Sequence, residues 1–98
     1  MEKITSRKNA SVLRFRTLAK ETDAREESRE FVCDGVKLLA EALASGQEVT
    51  SVLWKAGREK LSEGFPELAC PQSVAAEEVF DHASPLVSSP GPLFTVKM

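Results

Sequence analysis

The 98-residue sequence predicts an α/β fold, a sheet covered by helices on both faces. Three observations carry this expectation. Short apolar runs rich in β-branched residues alternate along the chain with stretches of helical periodicity. Glycine- and proline-bearing turns separate them, at Asp34-Gly35, Ser45-Gly46, Phe65-Pro66 and throughout Ser84–Pro92. The composition, 42% hydrophobic and 29% charged, suits a single buried core and is too small for a large catalytic fold with its own cofactor cleft.

The first helix is predicted over Ala10–Lys20, capped by Asn9, whose short amide can accept a bond from a free backbone N–H. At about 100° per residue, Val12, Phe15, Leu18 and Ala19 share one face, flanked by Arg14 on one side and by Arg16 and Lys20 on the other. Leu13 falls off this stripe. Glu21–Glu30 holds only Ala24 as an apolar residue and reads as a surface helix or a connector. Phe31-Val32-Cys33 reads as a buried strand that enters a tight strand-to-helix turn at Asp34-Gly35. Val36–Ala44 follows as a helix with Leu38, Leu39, Ala42 and Leu43 on a wide apolar face, and Ser45-Gly46 stops it. Val49–Lys55 is the next strand, centred on Val52, Leu53 and Trp54. A short helix at Gly57–Glu63, a strand at Leu68-Ala69-Cys70 cut by Pro71, a helix at Ala75–His82 and a strand at Leu93–Lys97 complete the chain.

Charge divides the sequence unevenly. Residues 1–20 carry six basic side chains against Glu2 alone, whereas residues 21–98 carry seven basic and fourteen acidic ones, so the net charge of −2 conceals a basic start on an acidic body. A basic leading segment of this kind suits contact with a polyanion; it is equally the composition of a solvated terminal helix. No apolar run exceeds three residues, which excludes a membrane-spanning helix, and nothing apolar follows the first charges as a secretory signal would require. A cytoplasmic location is expected, in keeping with two isolated cysteines, Cys33 and Cys70, that form no disulfide framework or zinc spacing and read as small core residues.

Few residues offer chemistry. His82 is the only histidine, and without a ligand cluster around it a metal site is not expected; it reads as a surface residue late in a helix. The adjacent pairs Glu26-Glu27 and Glu77-Glu78 diverge on their helices and cannot work as an acid–base couple. Trp54 could stack on a base but fits the core better. No catalytic residue is assigned. The binding candidates are Arg7, Lys8, Arg14, Arg16 and Lys20, whose flexible charges can pair with phosphates. Asn9 could cap a helix or read a base edge. Gly35 and Lys37 join them because a strand-to-helix glycine admits close approach and the helix start offers free amides.

Ile4-Thr5-Ser6-Arg7-Lys8-Asn9, then Leu18, then Phe31-Val32-Cys33-Asp34-Gly35-Val36-Lys37-Leu38 resembles the opening of the SpoU-type RNA ribose 2′-O-methyltransferases, members of the SPOUT superfamily. The likeness continues through Glu41-Ala42-Leu43, Glu78–Ser84 and Ser89-Pro90 to Val96, and so covers nearly the whole chain. Ala10 departs from the family's proline, Asp34 from its glutamate and Gly91-Pro92 from its Gln-Gly, while Ala75 stands where a capping serine is common.

The resemblance implies the N-terminal substrate-binding domain of such an enzyme. It implies a three-layer α/β/α sandwich like the ribosomal proteins that bind kink-turn RNA, over residues 31–98, preceded by a basic N-terminal helix and charged connector over residues 1–30. The implied partner is structured RNA, ribosomal RNA foremost, with Ser6, Arg7, Asn9, Arg14, Gly35 and Lys37 matching motif positions. The catalytic SPOUT domain, its S-adenosylmethionine and the homodimer contacts it supplies would lie outside this chain, which by itself is expected to be non-catalytic and to carry no cofactor. A rival reading is a stand-alone ribosome-associated or protein-interaction adaptor. The length of the reading frame past Met98 separates the two.

Overall fold

A computed structural model describes residues 1–98. Five strands form one mixed sheet: β1 (Glu2–Ile4), β2 (Glu30–Asp34), β3 (Val49–Lys55), β4 (Gln72–Ala75) and β5 (Leu93–Lys97), in the spatial order β1-β4-β3-β5-β2. Four helices connect them: α1 (Ala10–Lys20), α2 (Thr22–Ser28), α3 (Val36–Ala44) and α4 (Glu77–Ala83), with a 3₁₀ segment at Glu59–Gly64. β1, β4 and β3 pair in parallel, and β5 pairs antiparallel with both β3 and β2. Hence β2 runs in the same direction as β3, and β5 alone opposes the rest.

Alternation along the strands sends side chains to two separate cores. On one face Leu53 and Leu93 meet Ile4, Val12 and Phe15 together with Val79, Phe80 and Ala83, so α1 and α4 cover this side. On the other, Val52, Trp54, Val74, Phe94 and Val96 meet Leu39, Ala42 and Phe65, so α3 and the 3₁₀ segment cover that side. The period of two in the strands and of 3.6 in the helices is what allows each element to serve one face. Trp54 is fully buried, and its indole N–H donates to Gln72 Oε1 at 2.9 Å, so the ring is core and its polar handle is satisfied.

Several expectations hold to the residue: α1, α3, β3 and β5 have the predicted limits. Asn9 caps α1, its Oδ1 accepting from the Ser11 N–H at 2.8 Å. The Glu21–Glu30 stretch forms α2 and then enters β2. The last helix differs: it is Glu77–Ala83, not Ala75–His82, because Ala75 ends β4 in the ladder with β3, and Ala76 stands at the N-cap with no side-chain cap.

Other expectations are corrected. The strand placed at Leu68–Cys70 lies instead at Gln72–Ala75, beyond Pro71, which has no N–H to give to a ladder. β1 was not foreseen: its three residues acquire strand geometry by pairing with Ser73–Ala75 rather than by any local pattern. Ile4, Val12 and Phe15 share one buried cluster with residues of β3, β4, α4 and β5. Leu38 is 46% exposed, because the apolar face of α3 is wider than its contact with the sheet. Cys70 sits outside any strand, and both cysteines are only half-buried.

Candidate nucleic-acid interface

The parallel strands β1, β4, β3 and β2 all end at the same edge of the sheet. The turns that leave them therefore cluster there, the usual place for a ligand in an open α/β sheet. The turn after β1 holds Ser6, Arg7, Lys8 and Asn9. The Ser6 hydroxyl accepts from the Lys8 N–H at 3.1 Å and the Ser6 carbonyl from the Asn9 N–H at 3.2 Å. This folds the backbone back and leaves the Arg7 and Lys8 side chains in solvent.

The turn after β2 is Gly35, with φ at +119°, a conformation that L side chains rarely adopt. Its N–H donates to the Pro92 carbonyl at 2.9 Å, and its own carbonyl accepts from the Leu39 N–H to open α3. Lys37 is exposed in the first turn of that helix. β1 and β2 form opposite borders of the sheet, so the Arg7–Asn9 turn and the Gly35–Lys37 turn are separated by three intervening strands. They are two sites rather than one.

A polar network stiffens the edge between them. The Asp34 carboxylate accepts from the hydroxyls of Ser84, at 2.7 Å, and Ser89, and the Gly91 N–H donates back to Ser89 Oγ at 3.0 Å. Lys55, only 8% exposed, donates to Asp81 Oδ1 at 2.8 Å and to the Ser89 carbonyl at 3.0 Å, with its ammonium 5.6 Å from the centre of the Phe80 ring. A buried ammonium is tolerable only with such partners. Around this pair, Gly57, Arg58, Glu77, Ser88 and Ser89 line a concavity of about 400 Å³. Sequence reasoning missed Lys55 because its partners stand 26 and 34 positions away; its one local signal is a charge that closes an otherwise apolar strand.

The basic residues of α1 divide by their internal partners. Arg14 forms an ion pair with Glu30, whose carboxylate is also hydrogen-bonded by the Thr50 hydroxyl, so Arg14 is committed to the β2 border. Arg16 is half-buried and donates to the His82 carbonyl at 2.7 Å, which caps the carboxyl end of α4. Lys20 is exposed in the last turn.

His82, read from sequence as a simple surface residue, instead rests against Arg16, whose Nη1 lies 3.4 Å from His82 Nδ1. Desolvation at this contact, then the charges of Arg16, Arg7 and Lys20, hold its imidazolium form below the usual range. Burial pushes both the Cys33 and Cys70 thiols up, partly offset at Cys70 by a hydrogen bond to its own backbone, so neither is an activated nucleophile. No three His, Cys, Asp or Glu side chains converge on a point where a metal ion could be held, and no helix is long and apolar enough to cross a membrane.

The chain thus defines a class by its architecture: a mixed α/β domain with basic turns at one edge of its sheet. The sequence matches no protein-family model and no curated protein. Solved structures do match. An rRNA methyltransferase from Sinorhizobium meliloti superposes with a TM-score of 0.81 at 20% identity, over 99% of this chain and 37% of its own. An RNA 2′-O ribose methyltransferase does so at 0.82 and 23% identity, over 98% of this chain and 37% of its own. The SpoU methyltransferase AviRb from Streptomyces viridochromogenes, also solved with AdoMet bound, gives 0.74 at 21% identity, over 92% of this chain and 33% of its own. The chain has the fold of a domain found in SpoU-type RNA methyltransferases, and it spans little more than a third of the length of these proteins.

Proposed function

We propose that this chain is the RNA-substrate-binding domain of an S-adenosylmethionine-dependent RNA 2′-O-ribose methyltransferase, with ribosomal RNA as its substrate. The observation that carries the reading is the superposition of nearly the whole chain on one part of several RNA methyltransferases. The basic turn after β1, with Arg7 and Lys8 free of internal partners, supplies charge for phosphate contact. In this reading the fold is the sandwich shared with kink-turn-binding ribosomal proteins. The protein is cytoplasmic, and a further domain carries S-adenosylmethionine, the methyl transfer and the homodimer contacts. Binding falls on a loop or bulge, because A-form duplexes hide their base edges from side chains. Arg7, Lys8 and Lys20 pair with phosphates, Arg14 and Arg16 reach them only with the donors left over from Glu30 and His82, and the Gly35–Lys37 turn gives a second contact.

The test is a titration of the chain with ribosomal RNA fragments between about 50 and 200 mM salt, beside the variant Arg7→Gln/Lys8→Gln. The native chain should bind with a salt-dependent affinity, and each lost phosphate contact should reduce the slope of log K against log salt by about one. Absence of binding by the native chain at low salt overturns the reading. The exposed acidic side chains of α2, Asp23, Glu26 and Glu27, favour the second reading, a stand-alone adaptor that docks on protein. A reading frame that ends at residue 98 would select it.

A further inference from the structure

Two stretches remote in sequence, residues 7–20 and the end of α4, bring basic side chains to one place. Arg7 comes from the turn after β1, Arg16 and Lys20 from α1, and His82 from the end of α4. Arg16 is the keystone: one nitrogen of its guanidinium holds the His82 carbonyl at 2.7 Å and stands 3.4 Å from His82 Nδ1. Arg7 and Lys20 lie near enough for their charge to act on the same imidazole. Of the four carboxylates around this cluster, Asp81 and Glu30 are engaged elsewhere, whereas Glu21 lines one concavity with Arg16 and Lys20 and Glu78 has no ion-pair partner. On α4, Asp81 is held by Lys55 at 2.8 Å, and Glu78 lies exposed one turn before His82. Neither is among the groups whose charge moves the histidine. Across the helix, Glu30 is taken by Arg14.

Three cations against two open carboxylates, Glu21 and Glu78, leave this surface net positive and able to seat an anion. The guanidinium of Arg16 has donors beyond the one spent on the helix cap, and Arg7 and Lys20 are free of hydrogen-bonded partners within the chain. A phosphate placed here would face three permanent positive charges and one imidazole whose protonation desolvation and those charges disfavour.

We propose that Arg7, Arg16, Lys20 and His82 form a backbone-phosphate site for RNA in which His82 takes up a proton as the phosphate binds. This deepens the reading given above and rests on it. The sign follows from charge. In the free domain desolvation and then the neighbouring cations disfavour the His82 imidazolium, and the arriving phosphate opposes that field and stabilises it. Affinity then rises as the pH falls toward the range where free His82 itself titrates, by up to about tenfold per pH unit for one proton taken up, and it levels off below that range.

The test exploits the fact that His82 is the only histidine in the sequence, so its ring resonances need no assignment. The imidazole is titrated by NMR in the native chain between about pH 5 and pH 8, with and without a ribosomal RNA fragment, and binding is measured across the same range for the native chain and for His82→Gln. The variant keeps the backbone carbonyl that Arg16 holds, so the α1–α4 contact survives.

The expected result is a His82 titration that moves to higher pH with RNA. The salt slope should be steeper by about one at the acid end, a difference that His82→Gln removes. RNA binding with an unmoved His82 titration, or with the same pH dependence in the variant, overturns the site and leaves the RNA reading intact. No RNA binding at any pH overturns that reading, and this site with it.

Discussion

The two faces of the sheet divide the labour of the molecule. Beneath α3 and the 3₁₀ segment the buried cluster is almost purely apolar, with Trp54, Phe65, Phe94 and Leu39 filling it and a single indole–amide bond as its polar content. Beneath α1 and α4 the apolar cluster is ringed by charge: Arg14 with Glu30 at one end, Arg16 with His82 at the other, and Lys55 with Asp81 beyond. Both faces bury apolar clusters of similar size, nine residues beneath α1 and α4 and eight on the other side, but only the first carries charge at its rim. The comparison shows how a short chain carries a basic edge: the charges ring a buried cluster and do not enter it.

Substitutions should separate the two faces in order of size. Trp54→Ala empties the largest fully buried side chain on the apolar face and should cost about 3–5 kcal/mol, read from urea denaturation, enough to unfold a marginal domain. A loss below about 1 kcal/mol would mean that the cluster beneath α3 contributes little to stability. Gly91→Ala comes next. A Cβ there would stand 2.9 Å from the buried Phe80 ring, and the residue has φ at +76°, so overpacking and backbone strain should together cost about 1–3 kcal/mol.

Arg14→Gln should have the smallest effect on stability, about 1 kcal/mol or less, since its guanidinium is partly exposed and screened. It sharpens the contrast within the charged face. Because Glu30 already engages Arg14, this substitution should weaken RNA binding less than Arg7→Gln, compared in the same titration. The opposite order would show that the ion pair opens when RNA binds.

Local sequence recorded the elements that depend on local forces. α1 begins where Asn9 can cap it and ends where the apolar period stops, and Val49–Lys55 and Leu93–Lys97 are strands because their β-branched and aromatic residues demand two buried faces. What it did not record depends on distant partners. Glu2–Ile4 is a strand only because Ser73–Ala75 lies beside it. Gln72 and Ser73, polar and unremarkable in sequence, extend the sheet because β3 offers them a ladder and Trp54 needs the Gln72 amide.

The candidate site divides in the same way. A charge count finds Arg7, Lys8 and Lys20, and they are exposed. It cannot distinguish them from Arg14 and Arg16, whose partners lie 16 and 66 positions away. Nor could it find His82, which matters only because α4 brings it against α1.

The placement of β5 has a consequence for how the molecule assembles. This strand is the last of the five in sequence, yet it lies between β3 and β2 and supplies the only ladder that β2 possesses. Until residues 93–97 are in place, β2 has nothing to pair with and the sheet is divided into two unconnected pieces. At about 5–20 residues per second, a chain emerging from the ribosome would therefore spend several seconds with its first half synthesised and its sheet open. Closure then comes in a single late step, when the final strand slots into the gap and joins the β1-β4-β3 ribbon to the segment that follows α2. Such long-range pairing makes for slow folding. It also makes the last strand the clasp of the whole domain, so that a tag or a cut within it reaches every layer at once.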